Sequence, residues 1–173
     1  VTDIERRQAT ELRAQARKLA GRVATYNVET AIGGFREVIA PGAFATSLRA
    51  GRDILALADH DPARVLARTK SGTLRLAEDD RGLTFELDLP ETTIGRDILA
   101  LAERGDLGGM SFGFRVPKGG DEWKGDLRTL RQVDLAEVSV VQAWPAYPQT
   151  SVDPRNKRPV LTLRRRYLET VRA

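Results

Sequence analysis

Between residues 22 and 142 the chain is cut by glycines, prolines and acidic turns into short apolar runs. The clearest is Leu83-Thr84-Phe85-Glu86-Leu87-Asp88-Leu89, which places Phe85, Leu87 and Leu89 on one strand face and Glu86 and Asp88 on the other. Comparable strand patterns cover residues 22–28, 53–59, 64–68, 73–77, 110–116, 127–133 and 135–142. Many short strands with few helices predict an α+β, mostly β fold. The expected architecture is a closed or nearly closed β-barrel of about six to eight strands with peripheral helices.

Three helices are expected around these strands. Residues 3–20 have a capping Asp3, a sparse apolar stripe of Ile4, Leu12 and Leu19, and Gly21 as a stop. Pro41-Gly42 introduces a short helix through Ala43, Phe44 and Leu48, closed by Gly51. Thr92 or Thr93 caps a third, which runs to Arg104 and stops at Gly105. Between the second and third lies an octapeptide coincidence. Gly51-Arg52-Asp53-Ile54-Leu55-Ala56-Leu57-Ala58 recurs letter for letter as Gly95-Arg96-Asp97-Ile98-Leu99-Ala100-Leu101-Ala102. The flanks do not repeat, so this is no internal duplication. The first copy runs into the polar turn Asp59-His60-Asp61-Pro62 and is expected to be strand; the second follows a threonine cap and is expected to be helix.

Composition removes several function classes. The chain has 173 residues, 41% hydrophobic and 30% charged, enough for one domain with a real core. It has no cysteine and a single histidine, so disulfides, thiolate nucleophiles and transition-metal sites are not expected, and no cofactor is called for. No apolar run reaches the roughly 18 residues of a membrane span, and residues 1–7 carry no secretory apolar segment. The chain opens on Val1, which points to a few residues ahead of it. Charge is divided unevenly. Residues 155–173 carry +6, from seven Lys/Arg and Glu169, while the other 154 residues carry −2. The body therefore lacks the basic excess of a nucleic-acid-binding domain. The tail reads either as a solvated charged end or as a docking segment for an acidic partner, with at most weak nucleic-acid contact.

Two residues carry the chemistry. His60 follows the apolar run Ile54-Leu55-Ala56-Leu57-Ala58, and Ser111 lies among hydrophobes in Met110-Ser111-Phe112-Gly113-Phe114. A histidine and a serine at core strands are the minimum set for acyl transfer by an activated hydroxyl. Alternation puts Ser111, Gly113 and Arg115 on one face, open because Gly113 has no side chain. It also puts Ala56, Ala58 and His60 on one face. Glu137 and Ser139 share a face of the strand at 135–142, and a carboxylate on an apolar strand needs a partner. Each residue also has a plainer reading: Ser111 as a small strand residue, His60 as a surface hydrogen-bonding group, Glu137 in an ion pair with Arg115 or Arg131.

Several blocks resemble the prohead protease family of tailed phages, the serine proteases of capsid maturation. In order they are Ala24-Thr25-Tyr26-Asn27, Glu37-Val38-Ile39-Ala40-Pro41-Gly42-Ala43-Phe44, Asp59-His60-Asp61, Ser71-Gly72-Thr73-Leu74 and Asp80-Arg81-Gly82-Leu83-Thr84-Phe85. Met110-Ser111-Phe112-Gly113-Phe114, Leu135-Ala136-Glu137-Val138-Ser139-Val140-Val141 and Pro145-Ala146-Tyr147-Pro148-Gln149-Thr150 follow. The similarity covers roughly residues 22–152. It implies a fold similar to the herpesvirus assemblin proteases and divides the chain into an N-terminal helix (1–21), a barrel domain (22–152) and a basic tail (153–173).

The resemblance carries the catalytic histidine onto His60 and the serine onto Ser111. Assemblins use a second histidine as third member, and this chain has none. Glu137, 26 residues after Ser111, occupies the comparable place, with Asp61 and Glu86 as fallbacks. Trp144 stands where many relatives have a smaller residue. The implied activity is a serine endopeptidase that cleaves the major capsid protein, the scaffold segment, or itself. It acts inside the assembling procapsid in the bacterial host cytoplasm, with a homo-oligomer compatible. His60 as neutral imidazole takes the Ser111 proton, so activity is expected to fall in acid. Oxyanion donors are expected from the Gly108-Gly109 turn or the loop after residue 141. The competing reading is a catalytically dead capsid or tail component on the same barrel.

Overall fold

The computed structural model describes residues 4–9, 12–15 and 17–143; Trp144, the block at 145–150 and the basic tail lie outside the described residues. The chain begins with β1 (Glu5–Ala9), β2 (Leu12–Gln15), β3 (Lys18–Thr25), β4 (Thr30–Ile32) and β5 (Phe35–Ile39). Helix α1 (Ala45–Arg49) precedes β6 (Leu55–Ala58), β7 (Asp61–Arg68), β8 (Leu74–Glu78) and β9 (Gly82–Asp88). Helix α2 (Thr93–Arg104) leads to β10 (Gly109–Arg115), β11 (Asp121–Lys124), β12 (Leu127–Leu130) and β13 (Asp134–Val141).

Among the described residues these strands form three open sheets and no closed barrel, which corrects the expected architecture. Their orders are β1-β10-β13-β6-β7, β11-β12-β5-β4 and β2-β3-β9-β8. Each ladder ends on an outer strand that does not return to the first. Edge strand β7 carries Pro62, which has no N–H to donate to a further neighbour. The core closes by packing instead of by hydrogen bonding. Phe44, Phe85, Phe112, Phe114, Leu83, Leu87 and Ile98 are all buried to within 2%. Phe44 meets Phe112 edge-on at 5.6 Å between ring centroids, and Phe112 stacks on Phe114 at 5.3 Å.

The N-terminal segment is strand, not the expected helix. Three large apolar residues in the eighteen of 3–20 give a helix too little to bury. As strands, the same residues satisfy their backbones on existing sheets: β1 pairs antiparallel with β10, and β2 with β3. Gly21, read as a helix stop, sits inside β3 opposite Phe85. The α2 expectation holds in detail. The Thr92 side chain accepts from the Gly95 N–H, and Gly105 takes the left-handed conformation at φ 76°. The two octapeptide copies divide as expected, the first ending in β6 and the second lying in α2.

β1 is held by charge as well as by its ladder. The Arg7 guanidinium binds Glu37 through Nε at 2.5 Å and Nη2 at 2.8 Å. Arg128 binds Glu5 at 2.6 and 3.0 Å, Asp121 at 2.8 Å and Glu37 at 3.2 Å. Glu37 is only 3% exposed, and the two arginines offset the cost of burying its charge. Replacing Arg128 with Ala is therefore expected to destabilise the fold by about 3 kcal/mol, read as a lower urea midpoint. Burial alone would raise the Glu5 pKa, but the Arg128 hydrogen bond and charge, with those of Arg7, leave it lowered. A lowered folded-state value contributes stability that is fully present above the ordinary glutamate range and is lost as pH falls through that lowered value. Amides along β10 are thus expected to keep their exchange protection at neutral pH and to lose it in acid.

Candidate active site

The central sheet assembles the candidate residues through its register. β13 lies between β10 and β6, antiparallel to the first and parallel to the second. Ser111 is directly opposite Ser139, and Gly113 is opposite Glu137. Directly paired residues project to one face, so Ser111, Glu137 and Ser139 share a surface of the sheet. Ser111 is 5% exposed and Ser139 fully buried.

His60 reaches that surface by a turn, not by strand alternation. Ala58 pairs with Asp61, which leaves Asp59 and His60 as a two-residue connection between β6 and β7. Both have positive φ, 52° and 61°, the pattern of a type I′ hairpin turn. Alternation grouped His60 with Ala56 and Ala58, whose register partners are Val138 and Val140. The two left-handed residues re-aim the ring. It meets Glu137, whose partner in β6 is Leu55 on the other face. His60 Nδ1 lies 2.7 Å from Glu137 Oε1.

Glu137 is held from both sides. Its second oxygen, Oε2, accepts from Ser139 Oγ at 2.6 Å. Arg6 Nε stands 3.9 Å from Oε1 but is half exposed, so its attraction is screened. A Cβ on Gly113 would lie 2.5 Å from Glu137 Oε1, so the carboxylate occupies the space that a side chain at 113 would fill. Gly113→Ala is expected to push the carboxylate off the imidazole and lower kcat by about 10²-fold, with the melting temperature much less affected than activity.

The fallback carboxylates are engaged elsewhere. Asp61 Oδ1 caps the Ala63 N–H at 2.9 Å, and Glu86 pairs with Arg75 at 3.3 Å on an exposed face. Neither Arg115 nor Arg131 pairs with Glu137 among the described residues; Arg131 binds Glu122 at 2.5 Å. One residue the sequence reading passed over is Asp59. Its carboxylate accepts from the Gln142 N–H at 2.9 Å and from Arg64 at 3.0 Å, and its N–H donates to the Val140 carbonyl at 2.9 Å. It pins the turn that carries His60 to the end of β13. An aspartate opening a tight turn was the available signal.

The Ser111 hydroxyl does not meet His60 in this arrangement. It donates to the main-chain carbonyl of Arg7 in β1 at 2.7 Å, and among the described residues it has no hydrogen bond to the imidazole. The Gly108 N–H, offered as an oxyanion donor, is bound to the Val141 carbonyl at 2.8 Å. No helix among the described residues is long and apolar enough to cross a membrane.

The site thus joins an imidazole hydrogen-bonded to a carboxylate with a serine on the neighbouring strand. The model of the caudovirus prohead serine protease family matches residues 2–163 of this chain. The chain belongs to that family. Comparison with curated proteins and with solved structures finds no match. The family is one of serine-type prohead proteases, and membership supports a capsid-maturation protease function for this chain. The prohead protease match extends past the barrel boundaries read from the sequence, taking in β1 and β2 at one end.

Proposed function

We propose that this prohead protease cuts the major capsid protein and the scaffold segment within the assembling shell, with Ser111 as nucleophile, His60 as general base and Glu137 as its orienter. The observation that carries the reading is the 2.7 Å contact between His60 Nδ1 and Glu137 Oε1, on the strand next to the one that bears Ser111. A carboxylate on Nδ1 fixes the tautomer that leaves Nε2 free to accept a proton. In the reaction Ser111 Oγ attacks the peptide carbonyl carbon while its proton passes to His60 Nε2. The imidazolium returns that proton to the departing amine. Water, deprotonated by the same imidazole, then releases the acyl group from the serine. Glu137 orients and stabilises the imidazolium, and the Ser139 hydroxyl holds its second oxygen in place.

The test is active-site labelling. Incubation with a fluorophosphonate followed by peptide mapping should place the adduct on Ser111, and His60→Ala should slow labelling by orders of magnitude. Coexpression with the capsid protein should give a shortened product that disappears in the His60→Ala variant. Labelling at another serine, or processing that survives that change, rejects the assignment. Intact capsid protein beside a folded, unlabelled enzyme would favour the dead structural component instead.

A further inference from the structure

The strand that carries Ser111 has two neighbours, β13 on one side and β1 on the other. An extended peptide can reach the serine by strand pairing only along the edge that β1 fills. β1 lies there as such a peptide would. It runs antiparallel to β10, with Gln8 across from Ser111 and Arg7 across from Phe112. The Arg7 carbonyl oxygen is 2.7 Å from Ser111 Oγ. The Arg7 guanidinium is clasped by Glu37 at 2.5 and 2.8 Å and sits 5.3 Å from the Phe114 ring centroid.

Building on the protease reading above, we propose that β1 occupies in cis the seat of the substrate strand. The seat selects extended peptides with a cationic residue on the acyl side of the cut bond, and β1 must lift away before they enter. Three observations bear on this. First, the serine hydroxyl donates to the Arg7 carbonyl oxygen and not to the imidazole, so its proton is not on the base. β1 is a resident of the seat, not a bond about to be cut. Second, Glu37 is 3% exposed, and without Arg7 it keeps only the 3.2 Å bond from Arg128. A buried carboxylate stripped of a partner is costly, so the vacated seat demands another cation from the incoming chain. Third, Glu5 and Arg7 would leave together, and Glu37, Asp121 and Arg128 then carry a net −1. Local opening of a five-residue edge strand is a modest event beside global unfolding. The rate on added peptide scales with the fraction of molecules in which it has occurred.

The experiment uses the full chain and reporter peptides that differ only in the residue before the cut: Arg, Ala or Glu. Arg7→Ala should raise hydrolysis of the Arg reporter by about tenfold and speed amide exchange along β10. The unaltered protein should cut the Arg reporter about tenfold or more faster than the Glu reporter. Faster exchange without faster hydrolysis, unchanged exchange, or indifference between Arg and Glu overturns the proposal. A second variant removes dependence on how Arg7→Ala folds. Ala9 and Met110 pair across the two strands, and the chain has no cysteine. Ala9→Cys with Met110→Cys should lose activity on oxidation and regain it on reduction. A strand with only a structural role would leave activity unchanged by the lock, which would also overturn the proposal. If exchange along β10 responds to Arg7→Ala but neither protein cuts any reporter or takes a fluorophosphonate at Ser111, the protease reading itself fails and the proposal falls with it.

Discussion

Ser111→Ala is expected to lower peptide hydrolysis by about 10⁶-fold, because in the proposed mechanism nucleophile and base act as one unit and removing either forfeits nearly the whole effect. The change deletes one oxygen from a 5%-exposed strand residue opposite Ser139. It also deletes the hydrogen bond to the Arg7 carbonyl, so β1 should be held less tightly, not more. A folded Ser111→Ala protein therefore isolates the chemistry, since loss of rate cannot be assigned to a better-covered site. Steady-state hydrolysis of a reporter peptide, beside a thermal melt, is the measurement. Substantial turnover by the folded variant would remove Ser111 from the mechanism.

The second large effect is expected at Glu137. Glu137→Gln keeps the shape but loses the charge, and its amide can present an N–H to His60 Nδ1, which selects the wrong imidazole tautomer. A change of that kind in a serine-histidine-carboxylate triad costs roughly 10⁴-fold. Asp61→Asn and Glu86→Gln are expected to cost little, since the first caps a turn and the second makes an exposed ion pair. The ranking of the three is the test, read as kcat on one peptide. If Asp61→Asn is the most damaging, the orienter is elsewhere. Ser139→Ala should fall between, because it removes only the hydroxyl that steadies Oε2.

Much of the scaffold was legible, and the reasons differ by element. The α2 helix was readable because its signals are local: Thr92 at one end, Gly105 at the other, and an apolar stripe between them. The octapeptide that is strand once and helix once was readable only through its flanks, since the same eight letters, rich in the helix formers Leu and Ala, serve both states. The hairpin between β4 and β5 was missed although its two-residue turn, Gly33-Gly34, stands plainly between Ile32 and Phe35. The N-terminus was misread for a deeper reason. What makes β1 a strand is an edge supplied by residues about a hundred positions away and a charge clasp with Glu37 and Arg128. No local pattern encodes either. Closure was misjudged similarly, because strand count does not say which edges meet. In the site, Glu137 was readable as a carboxylate on an apolar strand, and Gly113 as the gap on the serine face. The facing of His60 was not, because strand alternation stops where a left-handed turn begins.

That turn has a bearing on how the chain tolerates change in length. The histidine is carried on the shortest connection a β-hairpin permits, and its two backbone angles fix where the ring arrives. An inserted residue between Ala58 and Asp61 would alter the turn type and carry the ring off Glu137. The opposite end of β7 has no such duty. Its Thr69-Lys70-Ser71-Gly72 loop is closed by side-chain hydrogen bonds at the surface and touches none of the proposed machinery. Length variation in this hairpin should therefore be one-sided. An inserted tag or reporter belongs at residues 70–72, past the far end of β7, and not in the turn that carries His60.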